Sequence, residues 1–493
     1  MNTLAVRRSA VVDLGSNSVR LVVFEGTSRT PVMIFNEKAV LKLGRGLTTT
    51  GRLNEEGVGM AMEVMSRFHA IARAMDADPF EILATAAVRD ASNGPEFVEA
   101  LRHYMPGVPI RILSGTEEAD YSATGVLCSV PDADGLVADI GGGSLELIRM
   151  EHGVRHEAIS LPLGVIRLND RSGGDLGVAR TLVEQDLATV GWLKAMEGKP
   201  LYLVGGAFRA LARLQIARVA YPLNIVHLYT LGLKEAQEMT EWVRGAPRRT
   251  LERLPGAPRK RLDDAPFAAT VLRRLLRVGQ PPSVVFCVDG LREGWYMDRV
   301  ATGTPDADPR ESVAREMCGR LGRSAVLPPA LIDWTAGLFP NADAERDRLR
   351  REACWMSDVG SYDHPEYRAE QTYLRILRMQ GVAFGHTARA FIALALAIRY
   401  ESEASQSWLD PSRRLLNEEQ FTAAVTLGLA LRLAYTVCGG ALTLLDGTSL
   451  RREADRVVLR LASGRLAVRG EAVRRRLDRL AQSLNLAAEI EEG

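Results

Sequence analysis

The stretch VVDLGSNSVRLVV, Val11 to Val23, is written again as VADIGGGSLELI, Val137 to Ile148. Each copy is an apolar strand ending near an aspartate, a turn of small residues and a second alternating strand. Alignment sets Asp13 on Asp139, Gly15 on Gly141, Ser18 on Ser144 and Arg20 on Glu146. Small side chains let backbone N–H groups approach an anion closely, and serine adds a hydroxyl donor, so each turn predicts a phosphate cradle. The strand-end aspartate suits a divalent cation bridging to the same phosphate. One such hairpin alone reads as a tight turn. Two of them, in two α/β halves, imply an internal duplication whose halves face each other across a phosphate-binding gap.

A chain of 493 residues exceeds the size at which one hydrophobic core keeps growing, so several domains are expected. Up to about residue 300, β-rich runs such as FEILATA, GLVADIG, PLYLVGG and SVVFCVDG alternate with helical stretches such as EEGVGMAMEVMSRFHAIARAM, the pattern of sheets covered by helices. ATGTPDADPRES, Ala301 to Ser312, has no apolar period and reads as a linker. Beyond it ESVAREMCGRLG, AERDRLRREACWM and AEQTYLRILRMQ carry helical spacing, and RVVLRLASGRLAVRG resembles a hairpin. The expected division is 1–128 and 129–300 for the two halves, 301–312 for the linker and 313–493 for a mainly helical domain.

Several classes lose support. Lys+Arg 62 against Asp+Glu 61 leaves no global field, so a polyanion must be met by a local patch and no nucleic-acid partner is expected. The five cysteines form no CxxC pair and should be reduced and buried. The N-terminus has no continuous apolar h-region, and the apolar stretch Ala423 to Leu445 carries Arg432 and a Gly439-Gly440 break, so buried helices are expected there, in a cytoplasmic protein without stable membrane association. Walker-A, HExxH and Rossmann fingerprints are missing.

Outside the repeat, Ser114 and Glu117 of SGTEEA form a capping box, which gives Glu117 a structural duty. Glu118 has none and is the candidate general base for water, against the alternative of a solvated first-turn acid. Arg89 lies just past a strand, where a guanidinium can grip two phosphate oxygens or pair with Asp90 or Glu96. Gly205-Gly206 opens a helix whose N-terminal amides could meet an anion.

DLGSNSVRL, ATAAVRDA, SGTEEA, DIGGGSLEL, LPLGVIRL and DGLREG occur in order, and together resemble the exopolyphosphatase/guanosine pentaphosphate phosphatase (Ppx/GppA) family over roughly the first 300 residues. The resemblance implies an α/β fold of duplicated ribonuclease H-like halves (actin/Hsp70/sugar-kinase type), followed by a mainly α-helical HD-like C-terminal domain. It implies Mg²⁺-dependent release of terminal orthophosphate from inorganic polyphosphate, or hydrolysis of the 5′-phosphate of pppGpp. By motif, Glu118 corresponds to the catalytic base. Asp139 and Glu146 match the metal and water positions, with Asp13 the repeat's equivalent of Asp139. Asn17, Ser18, Arg89, Gly141, Gly142, Gly143 and Ser144 match the phosphate-binding set. Leu145 departs from a position that often carries threonine. In the C-terminal part Ser357-Asp358 stands where a His-acid pair belongs, leaving His364 and His386 scattered, so the domain reads as a degenerate scaffold for dimerisation and long-chain binding.

Arg244, Arg248, Arg249, Arg253, Arg259, Lys260 and Arg261 fall in one stretch, either a polyanion track or a solvated face meeting Asp263 and Asp264. The leading expectation is an exopolyphosphatase working as a homodimer. The alternatives are a pppGpp phosphatase in the same site, an ATP-using kinase or ATPase of the same fold, and a non-catalytic polyphosphate sensor.

Overall fold

The computed structural model describes residues 7–301, 308–380, 383–462 and 469–492. The chain forms two compact units, Met1–Pro309 and Arg310–Gly493.

The first unit holds two sheets. One contains β1 (Arg8–Leu14), β2 (Ser18–Glu25), β3 (Val32–Val40), β4 (Ala77–Ala84) and β5 (Ile110–Ile112), ordered β3-β2-β1-β4-β5. The other contains β6 (Gly135–Ile140), β7 (Leu145–Glu151), β8 (Val154–Leu161), β9 (Leu201–Val204), β10 (Tyr229–Gly232) and β11 (Ser283–Phe286), ordered β10-β11-β9-β6-β7-β8. Stripped of β10, the second order repeats the first: a three-stranded antiparallel meander, then two parallel strands reached through helices. This is the duplicated α/β fold that the repeated hairpin predicts. The unbroken apolar run Ala10-Val11-Val12 is fully buried, as a central strand covered on both faces requires. At the sheet edge, β3 alternates partly buried with exposed residues and carries Asn36 and Lys38 on its exposed positions, which discourages pairing with another chain.

Two helices cross between the halves. Gly115–Ser129 leaves the first sheet through the Ser114/Glu117 capping box, with both reciprocal hydrogen bonds formed. Leu291–Arg299 returns: Trp295 and Tyr296 are fully buried with Val11, Val22 and Leu83, and Trp295 Nε1 donates to Glu81 at 2.6 Å. The last turns before residue 300 therefore pack on the first sheet, although sequence order places them with the second. The crossing is tight because glycines face it. A methyl at Gly125 would strike the backbone of Gly290, and one at Gly294 the carbonyl of Tyr121.

In the second unit, helices Pro309–Leu321, Ala344–Met356 and Arg368–Leu377 stand where the three periodic stretches predict them. The expected linker is shorter than its composition suggests. Residues 302–307 lie outside the described residues, and Pro309 opens a helix, a position where its missing N–H costs nothing. The expected hairpin is corrected too. β13 (Arg456–Leu461) pairs antiparallel with β12 (Thr448–Arg452) and parallel with β14 (Ala487–Glu492), while residues 463–468 lie outside the described set. Helix Glu418–Cys438 is long and apolar enough to cross a membrane by length and composition, yet 67% of its most apolar window is buried inside the unit. All five cysteines are free and buried.

Candidate active site

The two predicted turns meet. Each is closed by the same backbone bond, Gly15 N–H to Ser18 O at 3.1 Å and Gly141 N–H to Ser144 O at 3.0 Å. A methyl on Gly143 would lie 2.8 Å from Ser16 Oγ and 3.2 Å from Ala86 Cβ, so the second turn packs closely on the first. Together they line a cavity of about 150 Å³ within the first unit.

Twelve of the thirteen residues singled out from the sequence line this cavity: Asp13, Asn17, Ser18, Glu118, Asp139, Gly141, Gly142, Gly143, Ser144, Glu146, Gly205 and Gly206. Arg89 does not. Its Nη1 donates to Glu118 Oε1 at 2.5 Å and to Leu113 O at 2.9 Å, and its Nε to Asp90 at 3.1 Å. This guanidinium fixes a carboxylate that lines the cavity. Gly205 has φ +100, and a side chain there would press on Asp139 Oδ1 at 2.9 Å. The third glycine turn thus lets the Gly206–Arg218 helix start directly against Asp139.

Acids cluster in the cavity. β-ladder register sets Asp139 opposite Glu146, on the wall that also carries Glu118. Asp139 accepts from Ser122 Oγ at 2.5 Å and Glu146 from Ser160 Oγ at 2.7 Å. Burial, then the charge of Asp139, pushes Glu146 up to about 7. Burial, then the charge of Glu146, holds Glu118 well above the usual carboxylate range despite Arg89. Asp139 and Asp13 are also raised by burial, Asp13 with the Arg292 guanidinium 3.8 Å away opposing the shift. Hard oxygen donors that repel one another fit a small divalent cation that keeps most of its ligands as water and substrate oxygens. Among the described residues no His, Cys, Asp and Glu side chains form a ready-made cage of three.

Cations line the same cavity: Arg20, Lys38, Arg209, Arg261 and Arg292. Burial and mutual repulsion lower Arg20 and Arg209 to about 10. Lys38, Arg209 and Arg292 escape reading of the sequence, as do Ser122 and Ser160. Lys38 and Ser160 could have been found by carrying the repeat one strand further. Register places Asp13, Arg20 and Lys38 on one rung of the first sheet, and Asp139, Glu146 and Ser160 on the matching rung of the second. Of the basic stretch, only Arg261 lines the cavity. Arg248 pairs with Glu252 and Asp263, and Arg249, Arg253, Arg259 and Lys260 are exposed.

In the second unit Asp358 is no metal ligand in waiting. Burial would raise its carboxyl, but Arg323 donates from its backbone N–H (3.0 Å), Nε (2.9 Å) and Nη2 (2.8 Å) and holds it below the ordinary range. His364 Nδ1 accepts from Glu366 N–H at 3.3 Å, and His386 is buried at a helix start.

Two α/β halves of one topology close paired backbone turns over clustered carboxylates and arginines, a site suited to a phosphoryl group. Residues 22–302 match the model of the Ppx/GppA phosphatase family, and residues 313–489 that of the exopolyphosphatase C-terminal region. The chain belongs to the Ppx/GppA phosphatase family. It is 26% identical over 297 residues to exopolyphosphatase 2 of Mycobacterium tuberculosis, covering 56% of this chain and 91% of that protein. The fold is shared with an exopolyphosphatase from Cytophaga hutchinsonii (22% identity, TM-score 0.55, 61% of this chain and 100% of that one). It is shared equally with a Ppx/GppA family member from Aquifex aeolicus (23% identity, TM-score 0.52, 60% of this chain and 98% of that one).

Proposed function

We propose that the protein is an exopolyphosphatase that hydrolyses the terminal phosphoanhydride of inorganic polyphosphate. The observation that carries this reading is the content of one cavity, where paired amide-rich turns, clustered acids and five cations line the same space. A chain of phosphates matches that set: the terminal phosphoryl group sits in the turns while the anionic remainder meets the cations.

Glu118, oriented by Arg89, holds the attacking water and accepts its proton. Its raised proton affinity makes the ionised carboxylate a stronger base. Attack in line breaks the bridging P–O bond, and the electron pair leaves with the shortened chain. Backbone amides of Gly141 to Gly143 and the hydroxyls of Ser18 and Ser144 stabilise the equatorial oxygens. Asp139 and Glu146 are the residues that would hold Mg²⁺, which supplies charge neutralisation at the phosphoryl oxygens.

Glu118→Gln should cut phosphate release from polyphosphate by at least a thousandfold while polyphosphate still binds in an equilibrium assay; retained turnover removes Glu118 from this role. Parallel incubations with long polyphosphate and pppGpp test the substrate. Release from the nucleotide alone overturns the exopolyphosphatase reading.

A further inference from the structure

The first sheet carries Asp13, Arg20 and Lys38 side by side on β1, β2 and β3. Moving outward along this rung leads from the acid by the turns, through one cation, to a second at the sheet edge. Arg20 Nη1 is braced by Asn36 Oδ1 at 2.8 Å, from the same edge strand as Lys38. Lys38 is exposed as a residue, yet it lines the cavity and makes no ion pair with any described carboxylate. A cation in a phosphate-sized cavity, offset by two strands from Asp13 and held in no ion pair with a described carboxylate, is placed to meet an anion that enters with the substrate.

We propose that Lys38 is a specificity-determining residue that contacts the phosphates behind the terminal one, and so selects condensed-phosphate chains over substrates with a single anhydride. The proposal rests on the exopolyphosphatase reading and extends it to the choice among condensed phosphates. Arg20 and Lys38 stand on neighbouring strands of one rung, so a chain of several phosphates is long enough to touch both.

The groups facing Lys38 are Asp13 and Arg20 on its own sheet, Arg209 at the start of the Gly206–Arg218 helix, and Arg261 with Asp264 beyond it. The residue is exposed along its stem, but partial burial of its ammonium in the cavity, then the three arginines, lower that ammonium to about 7. The free enzyme therefore carries this charge below about pH 7 and loses it as pH rises, so recognition of chains should weaken in that direction. Arginine at the same position stays charged throughout.

The test compares wild type, Lys38→Met and Lys38→Arg on pyrophosphate and on a long polyphosphate, with kcat/KM measured from pH 6 to 9. Lys38→Met should lose about tenfold more kcat/KM on the long chain than on pyrophosphate, the size of one charge-assisted contact. Lys38→Arg should retain chain preference, and the ratio of wild type to Lys38→Arg on long chains should fall above about pH 7. Equal losses on both substrates, or a wild-type to Lys38→Arg ratio flat across pH, overturn the assignment of Lys38 alone. A wild type inactive on every condensed phosphate overturns this proposal together with the exopolyphosphatase reading.

Discussion

Ser122 and Ser160 each spend their hydroxyl on one carboxylate of the cavity, Asp139 and Glu146 respectively. Such a bond fixes which oxygen lone pairs remain for a cation, and outer partners of this kind change metal affinity by about 10- to 100-fold when removed. Ser160→Ala should therefore raise the Mg²⁺ concentration needed for half-maximal phosphate release by that factor, with most of kcat recovered at saturating cation. A metal titration that superimposes on wild type would show the serine to be packing alone. Ser122 belongs to the helix that presents Glu118, so Ser122→Ala should move both the metal requirement and kcat. The two serines differ in this way because one tethers a strand to a helix and the other tethers two neighbouring strands.

At the scale of elements, the crossing of Gly115–Ser129 with Leu291–Arg299 holds the Glu118 end of one helix and Arg292 of the other in register. Ser129 Oγ donates to Asp289 and lies 3.2 Å from His227 Nε2, tying the far end of the first helix to the loop before the second. Gly294→Ala drives a methyl into the carbonyl of Tyr121, and overpacking of this kind costs about 1–3 kcal/mol. Chemical denaturation should register that loss, and kcat should fall with it because Glu118 and Arg292 shift apart. Full stability in Gly294→Ala would mean that the helices separate without strain. The turns of this architecture were legible because the chain writes them twice, and a duplicated pattern reports on two halves at once. Glu118 was legible by elimination, since its neighbour Glu117 is consumed by the cap. Lys38 and Arg292 were not, because only cross-strand register and the return of the last helix bring them to the cavity, while Arg209 is carried in by the first turn of the helix that Gly205-Gly206 opens. The same limit explains β13, whose parallel partner β14 lies about thirty residues away, where local alternation carries no information. Arg89 shows the converse: its residue type suits phosphate, but Glu118 and Asp90 reach it first.

For the whole molecule, the chain's two compact units each bury a core of their own, so each should unfold with its own transition. Among the described residues, the first concentrates buried acids whose charges raise proton affinity in a chain: Glu146 raises Glu118, Asp139 raises Glu146 and Asp13 raises Asp139. In the second, Asp358 is held low by Arg323, and Glu352, raised to about 7 by burial, is paired with Arg310 at 2.6 Å. A cation that binds the folded first unit relieves repulsion there, and neither of these two acids offers it an equivalent target. At a free concentration 100 times its Kd, such a ligand stabilises by roughly 2.7 kcal/mol, which shifts a domain of this size by roughly 5 °C. Differential scanning calorimetry with and without Mg²⁺ should thus show one transition rising and the other fixed. Asp139→Asn should erase the shift while leaving both transitions in place. If Mg²⁺ moves neither transition, the carboxylates do not bind it in the absence of substrate, and the cation must enter with the phosphate chain; if it moves both, the acids of the first unit are not its only target.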